Sequence, residues 1–303
     1  MVPKHGIVSR LQAMRVVHTR PVMVEAVSPP DASREFAFTP TDFGRVRALI
    51  RHHAGISLHE GKQAMVYSRV SRRLRATGHR SFASYLQWLE EHAHHSEWQE
   101  FVNCLTTNLT AFFREDHHFD LLQRDLPALL QARRGAGIRI WCSASSTGEE
   151  PYSIAMTVVE ALGANPPAQI LASDIDTRVL AKASSGVYDI DSKGLSPERL
   201  KAHFLRGTGA QDGLIRIKPA VARLVSFLPL NLMDEQWALG EPFDIVFCRN
   251  VMIYFDHATQ RKVLQRIHSV MNPGGLLYVG HSENFNDARG LFSLRGKTVY
   301  QRQ

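Results

Sequence analysis

Cysteine is scarce in this chain: 303 residues hold only Cys104, Cys142 and Cys248, odd in number and far apart. That argues against a disulfide framework or a compact cysteine-rich metal site and suits a reducing compartment, so a cytoplasmic location is expected. No apolar run approaches the ~20 residues of a membrane-spanning helix, and no membrane insertion is expected. The opening Met1-Val-Pro-Lys-His leads into no apolar core with a small-residue cleavage site, which argues against a secretory signal. Acidic residues are outnumbered, 29 against 36 lysines and arginines, for a formal net charge of +7. An acidic partner is implied: nucleic acid, an anionic membrane surface or an acidic protein, among which composition does not choose. Hydrophobic residues at 44% and charged residues at 21% describe an ordinary globular chain, long enough for one large domain or two modest ones.

Residues 1–35 show no sustained period and carry Pro3, Pro21 and Ser28-Pro-Pro-Asp, so a mobile tail is expected there. Helical patterning begins after Thr39-Pro-Thr-Asp, with Phe43, Val46, Leu49 and Ile50 on one face. Further helices are predicted over His59–Thr77, Phe82–Leu89 and Trp98–Leu105, making residues 36–106 an all-helical domain. Beyond it the pattern changes. Apolar runs with strand character at Ile138–Cys142, Ile170–Ser173, Leu224–Phe227, Phe243–Cys248 and Leu276–Val279 are mostly separated by helical stretches, such as Pro151–Leu162, Arg178–Ser184 and Ala258–Met271. That alternation predicts an α/β domain over 107–303 with a largely parallel sheet covered on both faces. Asn272-Pro-Gly-Gly reads as a turn between the last helix and its strand. Residues 186–222 interrupt the alternation and are expected as an inserted subdomain with Leu214–Ile217 as one of its strands.

Open parallel sheets bind ligands beyond the carboxyl ends of their strands. There the first strand runs into Ser143-Ala-Ser-Ser-Thr-Gly-Glu-Glu-Pro-Tyr, whose small residues permit a sharp bend and whose Ser145 or Ser146 is placed to cap the next helix. The dinucleotide glycine fingerprint is missing, since only Gly148 is present. Glu149 and Glu150 would repel a pyrophosphate but attract the cationic groups of S-adenosylmethionine; an ordinary capped turn would read the same way. Asp174, at the end of the second strand, stands where nucleotide-binding sheets hold ribose hydroxyls, roughly 20–30 residues after the first loop. Asn231-Leu232 follow the third strand, where an amide and an apolar contact suit an adenine ring. Cys248-Arg249-Asn250 end the fourth, with Tyr254 a helical turn beyond; Arg249 at a buried strand end requires a partner.

Several segments, in this order, resemble the chemotaxis receptor glutamate O-methyltransferases: Asn108-Leu-Thr-Ala-Phe-Phe-Arg114, Ser146-Thr-Gly-Glu-Glu-Pro-Tyr-Ser, Ser173-Asp-Ile-Asp-Thr, Phe247-Cys-Arg-Asn-Val-Met-Ile-Tyr-Phe-Asp and Gly280-His-Ser-Glu-Asn. The likeness covers roughly residues 36–303. It implies a small all-helical N-terminal domain, a class-I methyltransferase sheet and a small β insertion. It also implies S-adenosylmethionine as cofactor, with S-adenosylhomocysteine as product. Cofactor contacts are implied for Asn108, Thr110, Arg114, Glu149, Asp174, Asn231, Leu232, Arg249 and Asn250, with Arg114 and Tyr254 where methyl donor meets substrate. The acceptor would be a glutamate carboxylate, ionised at neutral pH from a reference pKa of about 4.3, so that Arg114 and Tyr254 position groups rather than transfer protons.

Arg69, Arg72 and Arg73 fall on one helical face at i, i+3 and i+4, with Lys62 two turns earlier. Such a run is commonly a solvated face. The resemblance makes it the surface that meets an acidic receptor helix, where complementary charge steers and registers the partner. A nucleic-acid patch is disfavoured, because no aromatic residues interleave the charges. In Arg206-Gly-Thr-Gly-Ala-Gln-Asp-Gly213, the glycines Gly207, Gly209 and Gly213 suit tight turns of a hairpin. The resemblance adds docking of the receptor's C-terminal peptide as an extra strand. His92, His94 and His95 beside Glu90, Glu91 and Glu97 lack a clustered third ligand, so no metal is expected. Asn165-Pro-Pro lacks the aromatic of the amine-methylating signature and precedes the second strand rather than following the fourth. Nucleic-acid methylation and a non-catalytic cofactor-binding module remain the alternatives; the presence of Arg114 and Tyr254 weighs against the second.

Overall fold

Thr39 starts the first helix, α1 (Pro40–Ala54), through a capping box: its hydroxyl accepts the Asp42 N–H at 3.1 Å and the Asp42 carboxylate accepts the Thr39 N–H at 2.9 Å. The computed structural model describes residues 34–283, 285 and 290–303, so the tail expected over 1–35 lies almost wholly outside the described residues. A 3-10 turn over Glu60–Lys62 takes the first part of the helix expected from His59, and α2 runs over Gln63–Thr77. Then come α3 (Phe82–Glu91) and α4 (Glu97–Leu105). Val46 and Ile50, Val66, Val70 and Leu74, and Phe82, Leu86 and Phe101 meet in one apolar core, as helical spacing of the apolar residues requires.

Helix α5 (His117–Ala132) leads into β1 (Ile138–Cys142), α6 (Glu149–Leu162), β2 (Ala168–Asp174) and α7 (Thr177–Ser185). After β3 (Val187–Asp189) come α8 (Pro197–His203), β4 (Phe204–Arg206), β5 (Leu214–Ile217), the short α9 (Pro219–Ala222) and β6 (Val225–Pro229). The chain finishes with β7 (Phe243–Cys248), α10 (His257–Ser269), β8 (Met271–Val279), β9 (Phe292–Gly296) and β10 (Val299–Arg302). Seven strands form one sheet in the order β6-β2-β1-β7-β8-β10-β9, parallel from β6 to β8 and antiparallel at β10 and β9. The α/β class is therefore as expected. Side chains alternate across the sheet: Ile138, Ile140 and Cys142 pack with α5 and α6, whereas Trp141 packs on the opposite face with Val263, Leu264 and Ile267 of α10.

Two expectations shift and a third is met. Asn272-Pro-Gly-Gly is a bulge inside β8 rather than a turn before it: Met271 pairs with Phe243, Leu276 pairs with Ile245, and the residues between arch out. Gly148, with φ of 99°, is the N-terminal boundary of α6 in place of a serine cap, and a Cβ there would meet the Tyr188 hydroxyl oxygen at 2.5 Å. Within 186–222, β3, β5 and β4 form a separate antiparallel sheet with β5 central, so Leu214–Ile217 has partners on both sides.

Candidate active site

The sheet order reverses between β1 and β7, and the loops leaving their carboxyl ends diverge there. A cavity of about 330 Å³ opens at this point. Asn108, Thr110 and Arg114 line it from the loop before α5, and Ser143 and Ser146 from the loop after β1. Asp174 closes β2, Asn231 and Leu232 follow β6, and Arg249, Asn250 and Tyr254 follow β7. Leu58, Lys62 and Met65 reach it from the helical region.

Non-glycine residues with positive φ cluster at this cavity: Phe113 (50°) and Glu115 (59°) bracket Arg114, while Ser146 (48°) and Asn250 (58°) stand in its wall. Such conformations persist only where surrounding contacts impose them, and they concentrate at working sites. At Ser146 the contacts are visible: its N–H donates to the Asp174 carboxylate at 2.8 Å and its hydroxyl to the Asn108 carbonyl at 3.0 Å. Asp174 is only 8% exposed, and burial pushes its pKa up to about 6, against backbone N–H donors that oppose the shift. Two of its lone-pair sites accept the Ser146 and Asp176 N–H groups, which leaves acceptor capacity on the cavity side. Asp176 does different work. It caps α7 through the Arg178 N–H and ties down Thr106 and Asn108 at 2.6 and 2.8 Å.

With this geometry in view, the comparisons with known proteins decide the family. The model described as CheR methyltransferase, SAM binding domain, matches residues 108–301, and the one described as CheR methyltransferase, all-alpha domain, matches residues 41–106. The chemotaxis protein methyltransferase of Escherichia coli (strain K12) is 50% identical over 88% of this chain and 93% of its own. Chemotaxis protein methyltransferase 2 of Pseudomonas aeruginosa is 50% identical over 90% of this chain and 97% of its own. That of Borreliella burgdorferi is 35% identical over 84% and 91%. The chain belongs to the CheR methyltransferase family.

S-adenosylmethionine is accordingly the cofactor of this CheR protein, as its motifs imply. The cavity suits it chemically. A desolvated carboxylate with free acceptor sites fits a ribose diol, and buried Leu232 offers apolar contact. Every cofactor residue expected from the sequence lines this cavity except Glu149. Neighbours on a helix point about 100° apart, so the first turn of α6 turns only one glutamate inward, and that is Glu150. Glu149 accepts a hydrogen bond from the Thr147 hydroxyl at 2.6 Å.

Arg249 has the partners its burial demands. Its side chain is fully enclosed, meets Glu150 at 2.6 Å and Glu115 at 3.2 Å, and donates to the Arg114 carbonyl. Burial raises the Glu150 pKa, with Arg249 opposing that shift. Arg114, in contrast, forms no ion pair with any described residue, and among them its guanidinium donates one hydrogen bond, to the Leu109 carbonyl at 3.0 Å. Its neighbours are engaged elsewhere, Glu115 with Arg249 and Asp116 with the His117 N–H at the head of α5. Tyr254 ends a 3-10 turn (Met252–Tyr254), and its carbonyl accepts the Ser57 N–H at 2.8 Å. The Asn231 amide is committed within the protein, donating to the His53 carbonyl at 2.7 Å and accepting the Met233 N–H at 2.9 Å.

The basic run divides. Arg69 donates to the Thr106 carbonyl at 2.6 Å, and Arg73 grips Glu97 through two hydrogen bonds of 2.8 and 2.6 Å. Both turn toward α4, which leaves Arg72 of the three facing solvent. In the hairpin, a Cβ at Gly207 would meet the Gln211 carbonyl oxygen at 2.0 Å, and Gly209 and Gly213 have φ of 59° and 84°. Their requirement for glycine is the turn itself. Among the described residues no group of three or more His, Cys, Asp and Glu is arranged to hold a metal, and no helix is long and apolar enough to cross a membrane.

The sequence singles out Glu150 only beside Glu149, as an attractor of cationic cofactor groups, and gives no sign of Glu115 and Glu283 as shapers of this site. A glutamate in a loop carries no local signal of the arginine or backbone amides it will meet from another strand.

Proposed function

We propose that this chain transfers the methyl group of S-adenosylmethionine to glutamate side-chain carboxylates of chemotaxis receptors, giving glutamyl methyl esters and S-adenosylhomocysteine. The observation that carries the carboxylate acceptor is Arg114: a guanidinium in the cavity wall with no carboxylate partner among the described residues. Its remaining donors match a carboxylate in fixed fork geometry. The names of the relatives, chemotaxis protein methyltransferases, supply the receptor context.

The acceptor arrives ionised, so no general base is required. Asp174 holds the ribose hydroxyls, with Asn108, Thr110, Arg249, Asn250 and Leu232 completing the walls. Bound there, S-adenosylmethionine supplies an electrophilic methyl on sulfonium sulfur. Arg114 holds one acceptor oxygen, and the Tyr254 hydroxyl donates a hydrogen bond that orients it. The enzyme contributes alignment and exclusion of water from a weak nucleophile, and alignment alone supplies roughly 7–11 kcal/mol. Arg72 meets the acidic receptor helix. The edge of the β3-β5-β4 sheet takes a receptor tail peptide as an added strand, with exposed Leu205 on edge strand β4 offering an apolar contact.

Methyl-labelled S-adenosylmethionine incubated with the purified protein and chemoreceptor-containing membranes tests the reaction. Label released as methanol by mild alkali supports the ester; alkali-stable label on receptor or on polynucleotide refutes it. Deletion of residues 206–213 tests the tail: lost peptide binding supports docking there, and unchanged binding sinks it.

A further inference from the structure

Glu283 belongs to the Gly280-His-Ser-Glu segment that follows β8, and it lies outside the cavity wall. It is 3% exposed, yet no arginine or lysine pairs with it among the described residues. Its carboxylate instead collects backbone amides from two adjacent loops. Oε2 accepts the Asn250 N–H at 3.0 Å and the Gly280 N–H at 2.6 Å, and Oε1 accepts the Met252 N–H at 2.8 Å. A buried carboxylate without a cation is unfavourable unless its lone pairs are filled, and here donors from two neighbouring strand ends fill them.

Those donors define what the group does. Asn250 holds φ of 58°, in the left-handed region that few side-chain-bearing residues other than asparagine adopt readily, and Glu283 grips the amide of that very residue. The gripped turn is the one that carries Asn250, Val251, Ile253 and Tyr254 into the cavity. Gly280 completes the arrangement from the other side. A Cβ there would meet the Asn250 side-chain nitrogen at 2.5 Å, the Asn250 backbone nitrogen at 3.0 Å and Glu283 Oε2 at 3.0 Å. No side chain fits between the clamp and the residue it holds.

We propose that Glu283 is a positioning residue for methyl transfer: it staples the loops leaving β7 and β8 together and fixes the Asn250–Tyr254 turn in its site-forming conformation, with Gly280 as the space that permits it. Glutamine is the informative replacement. It keeps the shape but puts an NH2 group where one carboxylate oxygen stood, so in either orientation a donor faces at least one backbone N–H.

The inference rests on the cavity being the S-adenosylmethionine site, and wild-type affinity for S-adenosylhomocysteine checks that first; no binding by wild type would overturn that reading independently of the clamp. Glu283→Gln and Gly280→Ala are then compared by calorimetric S-adenosylhomocysteine affinity, by kcat for receptor methylation and by thermal melting, all binding and rates read well below the melting range. Both variants are expected to bind about tenfold or more weakly, with kcat reduced as Tyr254 is displaced. Near wild-type affinity and kcat in Glu283→Gln, with only the melting temperature lowered, would make the carboxylate a structural staple and overturn the proposal. So would normal affinity in Gly280→Ala, which disturbs Asn250 with the carboxylate intact. Should Glu283→Gln fail to fold, the Gly280→Ala affinity decides alone.

Discussion

In the helical region Arg73 meets Glu97 at 2.6 Å, with the side chains 17% and 6% exposed; beyond β7, Arg249 meets Glu150 at 2.6 Å, with 0% and 11%. The chemistry is the same and the surroundings differ. Around Arg73 the charges close among themselves, since Glu97 also accepts the Tyr85 hydroxyl and the cluster lies outside the walls of the candidate site. Around Arg249 they do not close. Two carboxylates, Glu150 and Glu115, share one guanidinium beside a cavity whose walls hold strained residues. A buried ion pair is weak evidence of function by itself. What distinguishes the second pair is unfilled space beside it and backbone strain next to it.

Breaking the two pairs should separate stability from binding. Arg249→Met leaves two carboxylates without their cation and is expected to lower stability by about 3–5 kcal/mol and abolish measurable cofactor binding, read by denaturant unfolding and calorimetry. Normal binding would remove Arg249 from the site. Asp174→Ala comes next, with cofactor affinity down on the order of 100-fold through two lost charge-assisted hydrogen bonds. Its stability should change little, relief of a desolvated carboxylate offsetting the Ser146 and Asp176 N–H groups left without their acceptor; near-normal affinity would refute the ribose role. Arg73→Met should lower stability by about 1–3 kcal/mol, since Glu97 loses its partner, while S-adenosylhomocysteine affinity stays within about twofold, well under the 1.4 kcal/mol of a tenfold change. A loss of affinity there would erase the contrast between the pairs.

The same contrast explains how much was legible in the sequence. Strands β1 and β7 were readable to the residue, because short apolar runs buried on both faces stand out from their flanks. The place of Asp174 in the cavity wall was readable because the ends of parallel strands line the ligand-binding crevice of such sheets. Helix α5 was obscured by Pro127 in its interior, a residue that ordinarily ends a helix. The β9–β10 hairpin was hidden as well: its turn residues Lys297 and Thr298 take φ of 41° and 63° without the Asn-Gly signature of such turns. Arg69, Arg72 and Arg73 share a face by spacing, but spacing does not say that α4 presents Glu97 and the Thr106 carbonyl to two of them. Partners distant in sequence are what the one-dimensional pattern leaves out.

Acidification sharpens the comparison at the level of one proton. Asp174 titrates at about 6 in the folded protein, above the usual ~3.9, because burial disfavours its charge. On the proposed ribose role the ionised form is the acceptor, so affinity for S-adenosylhomocysteine should be full above about pH 6 and fall as pH drops through it, by up to about tenfold per unit. Calorimetry across that range on wild type and Asp174→Asn checks the assignment: the wild-type slope should vanish in the variant, and a flat wild-type profile would sink it.

Arg72 gives the smallest effect and the cleanest reading of the basic helix. Because it faces solvent while Arg69 and Arg73 turn inward, Arg72→Ser should change stability by no more than about 0.5 kcal/mol. On the proposed steering role, the variant's KM for receptor should rise at low ionic strength. That rise should fade in ~1 M salt, where screening acts over about 3 Å. Arg69→Ser should do the reverse, lowering the melting temperature with little salt dependence, because it frees the α4 carbonyls rather than a solvent-facing charge. Equal, salt-sensitive losses in both variants would mean that the inward contacts of Arg69 open when receptor binds, and the division of the run into bracing and steering arginines would fall.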